Sequence, residues 1–187
     1  MIMELYNSID ILLKNRESVI VAIEGGSAGG KTTLAKELKE KYCCNVLHMD
    51  DFFLRPQQRT KERLTEPGGN VDRERFYDEV VIPLMNKEKI NYRRFDCSAL
   101  SVLPAVEIIP DRLTIVEGAY SMHPSLGKYY DLSVFLDIDS GLQKERIIVR
   151  NGCEKAQRFF EEWIPMEQKY FETMKVKEKS DLVLHII

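Results

Sequence analysis

Apolar residues recur along the chain in two spacings, and the alternation between them predicts the architecture. Over residues 4–15, Leu5, Ile9, Leu12 and Leu13 fall at helical spacing and predict a short amphipathic helix. Residues 19–23 (Val-Ile-Val-Ala-Ile) then form an unbroken run rich in β-branched side chains that stops at a glycine cluster, as a buried strand does. Leu34, Ala35, Leu38 and Tyr42 return to helical spacing, and Val46-Leu47 begins a second strand expected to end at Asp50-Asp51. Residues 54–71 are polar, carry Pro56, Pro67, Gly68 and Gly69, and read as a long loop. A helix with Phe76, Val80 and Leu84 follows, then two buried strands at 113–116 and 134–136. The Ser140-Gly141-Leu142-Gln143 segment has the form of a capping box, so a helix is expected from Ser140 to about Arg150. A polar break at 151–156, a last helix and a closing strand at 182–184 complete the pattern. At least five strands joined by helical crossovers make an α/β fold, a parallel five-stranded sheet with helices on both faces.

The composition narrows the class. A length of 187 residues suits one domain with a sizeable core. With 27 Lys and Arg against 30 Asp and Glu the net charge is −3, without the basic excess of a protein that grips nucleic-acid phosphates. The apolar runs are far shorter than the ~20 residues of a membrane span. Met1-Ile2-Met3-Glu4 lacks the basic start of a signal peptide, so a cytoplasmic location is expected. Cys43, Cys44, Cys97 and Cys153 show no CxxC spacing and read as reduced thiols.

Gly25-Gly26-Ser27-Ala28-Gly29-Gly30-Lys31-Thr32 matches the phosphate-binding pattern G-x-x-x-x-G-K-[ST] and lies between a strand and a helix, the context that gives such a loop its chemistry. Its backbone N–H groups would turn inward around phosphate oxygens at the positive end of the helix, with Thr33 completing the turn. Lys31 would reach the β- and γ-phosphates, and the Thr32 hydroxyl would ligate Mg²⁺. ATP is the expected donor, although the sequence does not separate it from GTP. A guanine-nucleotide switch is disfavoured, because Asn86-Lys87-Glu88-Lys89 lacks the base-reading Asp and no Asp is followed by Gly three residues on.

Two carboxylates are predicted at the strand ends where an α/β sheet binds ligands. Asp50 suits a base that orients or deprotonates an acceptor hydroxyl, and Glu117 suits a metal ligand; Asp51 ranks below Asp50. Arg146 and Arg150, four apart, share a helix face and suit a lid that stabilises phosphoryl charge. Their alternative is a solvated face paired with Glu145 and Glu154. Arg158 stands beyond the break. Segments 54–71 and 151–158 are the candidate lids of this single domain, excluding water from the transfer.

These residues resemble the uridine kinase and phosphoribulokinase-like group of P-loop kinases. The resemblance rests on the loop at 25–33, on Met49-Asp50-Asp51-Phe52-Phe53, on Asn70-Val71-Asp72, on Ile115-Val116-Glu117-Gly118, and on Asp137-Ile138-Asp139 leading into Arg146 and Arg150. The Asp-Asp-Phe-Phe form is also similar to nicotinamide riboside kinases. The resemblance implies transfer of the ATP γ-phosphate to a nucleoside 5′-hydroxyl. It implies Asp50 as catalytic base and Asp72 as a ribose-binding carboxylate; the alternative for Asp72 is a helix N-cap. The chain departs from the group at Tyr92-Arg93-Arg94-Phe95-Asp96-Cys97-Ser98, which has no His where uridine-cytidine kinases contact the pyrimidine. Arg93, Arg94 and Asp96 either read another acceptor or form a mutually paired loop. His123 either faces the acceptor or serves as a turn residue before Pro124. Phe52 and Phe53 either cover the acceptor or join the core, and Trp163 and Tyr170 read as a buried helical stripe. The acceptor could equally be another hydroxyl-bearing metabolite, such as pantothenate or a sugar derivative, and a non-catalytic ATP-binding regulator is the rival from another class. A homo-oligomer is compatible with all of these.

Overall fold

A computed structural model of the chain describes residues 2–187. Helix α1 (Ile2–Asn15) leads into β1 (Val19–Gly25), α2 (Lys31–Tyr42) and β2 (Asn45–His48). After a 3₁₀ turn at Met49–Phe52 come α3 (Lys61–Thr65) and α4 (73–85), then four short strands: β3 (Ile90–Tyr92), β4 (Phe95–Asp96), β5 (Ser101–Val102) and β6 (Val106–Ile108). Strands β7 (Leu113–Glu117) and β8 (Leu132–Ile138), helices α5 (Ser140–Arg158), α6 (Ile164–Met174) and α7 (Val176–Lys179), and β9 (Leu182–Ile186) complete the chain. The main sheet has the order β2-β7-β1-β8-β9 and every pairing in it is parallel.

Strand periodicity divides the core. Val19, Val21 and Ile23 point to the face covered by Leu5 and Ile9 of α1 and by Leu34, Ala35 and Leu38 of α2. Ile20 and Ala22 point to the other, packed against Phe76 and Val80 of α4 and Tyr170 of α6. A third, small cluster of Ile147, Ala156, Phe159 and Ile164 gives the α5–α6 corner a core of its own.

Several boundaries differ from the sequence expectation. β2 stops at His48, so Asp50 and Asp51 sit on the 3₁₀ turn rather than at the strand end itself. The cap of α5 is Asp139, not Ser140: one carboxylate oxygen accepts from both Gly141 N (2.8 Å) and Leu142 N (3.0 Å), while Gln143 turns away to the phosphate-binding loop. The polar break is confined to Gly152, whose φ of 76° no L-residue adopts readily, and the helix resumes to Arg158. Residues 90–108, to which the sequence pattern assigns no element, hold two antiparallel pairs of two or three residues per strand, too short for a periodicity to register. π-turns at Tyr77–Val81 and Phe159–Trp163 each precede a proline, Pro83 and Pro165, by two residues. Each proline ring crowds the carbonyl four residues back, and the wider turn relieves it.

Segment 54–71, expected as a long loop, holds a 3₁₀ turn at Pro56–Gln58 and the short helix α3, whose Thr60 cap accepts from Arg63 N, and it is anchored to its surroundings. The Arg63 guanidinium donates to the Gly69 and Val71 carbonyls (3.0 and 2.9 Å) and to both Glu74 carboxylate oxygens (2.7 Å each). Lys169 of α6 also donates to the Thr65 carbonyl at 2.7 Å.

After β7 the backbone turns at Gly118 with φ of 139°, and a Cβ there would lie 2.7 Å from Met49 Cβ. Gly118→Ala therefore forces strain and overlap beneath the Asp50 turn, and is expected to cost about 2 kcal/mol. That is a fall in Tm of roughly 4–8 °C for a domain of this size. An unchanged melting curve would refute the close approach.

Candidate active site

A cavity of about 610 Å³ opens over the carboxyl ends of β1 and β7, lined by residues 27–34 of the loop and α2, by Asp50, Phe53, Asn70, Ala119 and Tyr120, and by Arg146, Arg150, Phe159, Trp163 and Glu167. Hydrophobic packing on both sheet faces holds β1 rigid and aims its glycine-rich end at the N-terminus of α2. Lys31 is buried, and its ammonium donates to the Gly25 and Gly26 carbonyls at 2.8 and 2.9 Å, which centres the charge over the loop.

The loop is gripped from outside. Ser27 donates through its N–H (2.9 Å) and its hydroxyl (2.6 Å) to the two carboxylate oxygens of Glu167, and its carbonyl accepts from the Gln143 amide at 2.9 Å. Burial pushes the Glu167 carboxyl above the ordinary carboxylate range, opposed by Lys31 and by the bonds from Ser27. Below the loop, fully buried Glu24 accepts from Gly25 N (3.1 Å), Tyr120 N (3.0 Å), Met122 N (3.0 Å) and the Tyr170 hydroxyl (3.3 Å). Burial outweighs those bonds and raises its pKa to about 7.

On the other side of Lys31, Thr32 Oγ1 donates to Glu117 Oε1 at 3.1 Å, and His48 Nδ1 meets the same oxygen at 2.6 Å. That hydrogen bond raises the His48 pKa. Asp50 is open to the cavity, yet the protein walls around it push its carboxyl up, with Lys31 pulling the other way. Asp51 turns aside to accept from the Tyr92 hydroxyl at 2.7 Å.

The structure thus gathers Ser27, Ala28, Gly29, Gly30, Lys31, Thr32, Thr33, Asp50, Arg146 and Arg150 around one cavity. Arg146 approaches the Ala28 carbonyl at 3.3 Å, and the Arg150 guanidinium lies 5.5 Å above the Phe159 ring; among the described residues neither pairs with Glu145 or Glu154. Arg158 pairs instead with Glu162 at 2.9 Å. Of segment 54–71, Asn70 reaches the lining.

Other candidates lie apart. Asp72 is buried as the N-cap of α4, accepting from Arg75 N at 3.3 Å, with the Arg55 and Arg75 guanidinium nitrogens 3.4 and 3.5 Å from its second oxygen. His123 is buried, accepts from Ser125 N at 3.2 Å and stacks on Tyr170; burial lowers its pKa. Arg93 pairs with Glu79, Asp96 accepts from Ser98 N and Ala99 N, and Arg94 is exposed outside the lining. Phe52 is in the core against Phe76, whereas Phe53 faces the cavity. The expected stripe splits likewise: Tyr170 is fully buried and Trp163 borders the cavity.

Glu24, His48 and Glu167 were not singled out by sequence. A signal existed for Glu167, which lies four residues after Trp163 and three before Tyr170, a carboxylate set within a buried stripe.

No family model matches the chain. The chain is similar to a uridine kinase of Clostridium perfringens, 22% identical over 152 residues that cover 76% of this chain and 72% of that protein. It is also similar to the uridine kinase of Anoxybacillus flavithermus, 24% identical over 187 residues and covering 90% and 86%. Among solved structures, that of a possible uridine kinase from Bacillus stearothermophilus superposes with a TM-score of 0.68 at 21% identity, covering 97% of this chain and 99% of that one. D-glycerate 3-kinase from Cryptococcus neoformans superposes with a TM-score of 0.62 at 14% identity, covering 90% and 86%. The fold is that of the P-loop kinases. No helix among the described residues is long and apolar enough to cross a membrane.

Proposed function

We propose that the protein is an ATP-dependent kinase of a small acceptor, moving the γ-phosphate to the 5′-hydroxyl of a ribonucleoside-like molecule. The observation that carries this reading is the opening of Asp50, Lys31 and Thr32 onto one cavity beneath Arg146 and Arg150. Asp50 orients the acceptor hydroxyl and takes its proton as the acceptor oxygen bonds to the γ-phosphorus and the bond to the β–γ bridging oxygen breaks. Lys31 and the two arginines meet the charge on the transferring group, and Phe159 and Trp163 shield it from water. Thr32 and Glu117 would hold Mg²⁺, whose few protein ligands are hydroxyl and carboxylate oxygens beside nucleotide phosphates; the cation neutralises phosphate charge when bound. The uridine kinase relatives support the nucleoside acceptor.

A second reading, a kinase of another hydroxyl-bearing metabolite, is favoured by one observation. Tyr92, from the segment that departs from the pyrimidine-reading pattern, is buried with its hydroxyl on Asp51 and on the His48 backbone, so it is committed to the fold. Phosphoryl transfer from ATP·Mg²⁺ is to be measured against nucleosides, nicotinamide riboside, pantothenate, glycerate and sugars, with acceptor-free hydrolysis as baseline. Turnover on uridine or cytidine well above the baseline is the expected result. ATP binding with turnover on a non-nucleoside alone selects the second reading, and with no turnover on any acceptor it selects a regulator.

A further inference from the structure

We propose that His48 is a positioning residue for the cation side of the site, holding Glu117 so that one carboxylate oxygen is kept free for the metal. The inference deepens the reading above and rests on its assignment of Thr32 and Glu117 to Mg²⁺. Glu117 is buried at the end of β7, and its Oε1 receives both of its side-chain hydrogen bonds, from Thr32 Oγ1 at 3.1 Å and His48 Nδ1 at 2.6 Å. Oε2 takes none from the described residues and is not among the sealed, unpartnered polar atoms of the interior; Glu117 lies behind Thr32, which lines the cavity where Glu117 does not. Two donors on one oxygen fix the plane of the carboxylate and leave its other oxygen as the acceptor for a cation or its water shell.

Thr32 alone would not do this. Its hydroxyl is the group expected to turn a lone pair to the metal, and a single bond of 3.1 Å leaves the carboxylate free to swing. His48 comes from a different strand, β2, which pairs with β7 in the register His48–Glu117, so sheet pairing places the imidazole beside the carboxylate. Its backbone is fixed in turn by Tyr92, whose hydroxyl accepts from His48 N and lies 3.0 Å from both His48 N and His48 O. The role needs an N–H at Nδ1, which the neutral Nδ1–H tautomer and the imidazolium both supply, so it does not depend on titration. His48 is half-exposed on its other side and makes no further side-chain hydrogen bond among the described residues, which argues against a purely structural tie.

The test compares wild type, His48→Ala and His48→Asn; the asparagine amide can present an N–H where Nδ1 stands. Binding of a fluorescent ADP analogue is titrated with and without MgCl₂, and thermal unfolding is recorded for each protein. Expected are equal affinities without metal, a Mg²⁺ requirement raised about tenfold in His48→Ala, and recovery to within a few-fold in His48→Asn. In turnover assays the Mg²⁺ requirement should shift while the acceptor KM does not. The proposal is overturned if His48→Ala keeps the wild-type Mg²⁺ dependence, or if its metal-free affinity and Tm fall together without rescue by asparagine. It also falls if wild type binds the analogue with no response to Mg²⁺. Failure of every acceptor to be phosphorylated, with the Mg²⁺-dependent binding intact, removes the kinase reading and leaves the role of His48 standing.

Discussion

With Asn in place of Asp50, acceptor phosphorylation falls by about 10²- to 10⁴-fold, the range a positioned general base supplies. Affinity for ATP·Mg²⁺ stays within a few-fold, because the proposed function assigns the nucleotide to the 25–33 loop and Lys31 and not to the 3₁₀ turn that carries Asp50. Asparagine preserves the volume and one acceptor oxygen and removes the charge and the capacity to take a proton. Asp50 is suited to that loss being visible: it opens to the cavity, and burial by the surrounding protein raises its pKa against the pull of Lys31. The measurement is steady-state turnover with whichever acceptor the panel identifies, beside nucleotide binding by calorimetry. If turnover drops less than about tenfold, Asp50 is not the base, and the remaining carboxylate of the turn, Asp51, is already committed to Tyr92.

Much of this arrangement was legible in the sequence, and the reason differs by element. The five sheet strands announce themselves because a parallel sheet covered on both faces demands compact, largely apolar runs, and 19–23, 113–116 and 134–136 are such runs. The phosphate-binding loop is legible because its chemistry is local: backbone N–H groups, one lysine and one hydroxyl within eight residues. Glu24, His48 and Glu167 are the opposite case. Each acts through partners far along the chain: Glu24 through Tyr120 and Tyr170, His48 through Glu117, and Glu167 through Ser27. The strand expected at 19–23 extends to Gly25, and only with Glu24 inside it does period-two alternation turn its carboxylate toward Tyr170. Asp139 and Ser140 are both good caps, and sequence alone ranks them by the capping-box spacing. Folding decides otherwise, because Gln143 is drawn to the Ser27 carbonyl and cannot complete the box.

The same Glu24 carries the second large prediction. In the unfolded chain its carboxyl ionises near the ordinary glutamate value of 4.5, whereas in the fold burial raises that to about 7. Between those values the folded protein keeps a proton that the unfolded chain has released, so stability is fully present below about pH 4.5 and falls as pH rises toward 7. A difference of this size corresponds to a loss of about 3 kcal/mol across the window, or roughly 6–12 °C in Tm. Asp50, Glu167 and His48 have raised pKa values as well and tilt the wild-type curve the same way, so the informative quantity is the difference from Glu24→Gln. Glutamine is neutral at every pH and nearly isosteric. Its fixed cost, an amide N–H₂ facing the Met122 N–H or the Tyr170 hydroxyl, displaces its curve without tilting it. Thermal unfolding from pH 4.5 to 8 should therefore show wild type losing about 3 kcal/mol relative to the variant, with most of the change below pH 7. Parallel curves would mean that three backbone N–H groups hold Glu24 ionised throughout, and that the strand end beneath Lys31 carries a fixed negative charge.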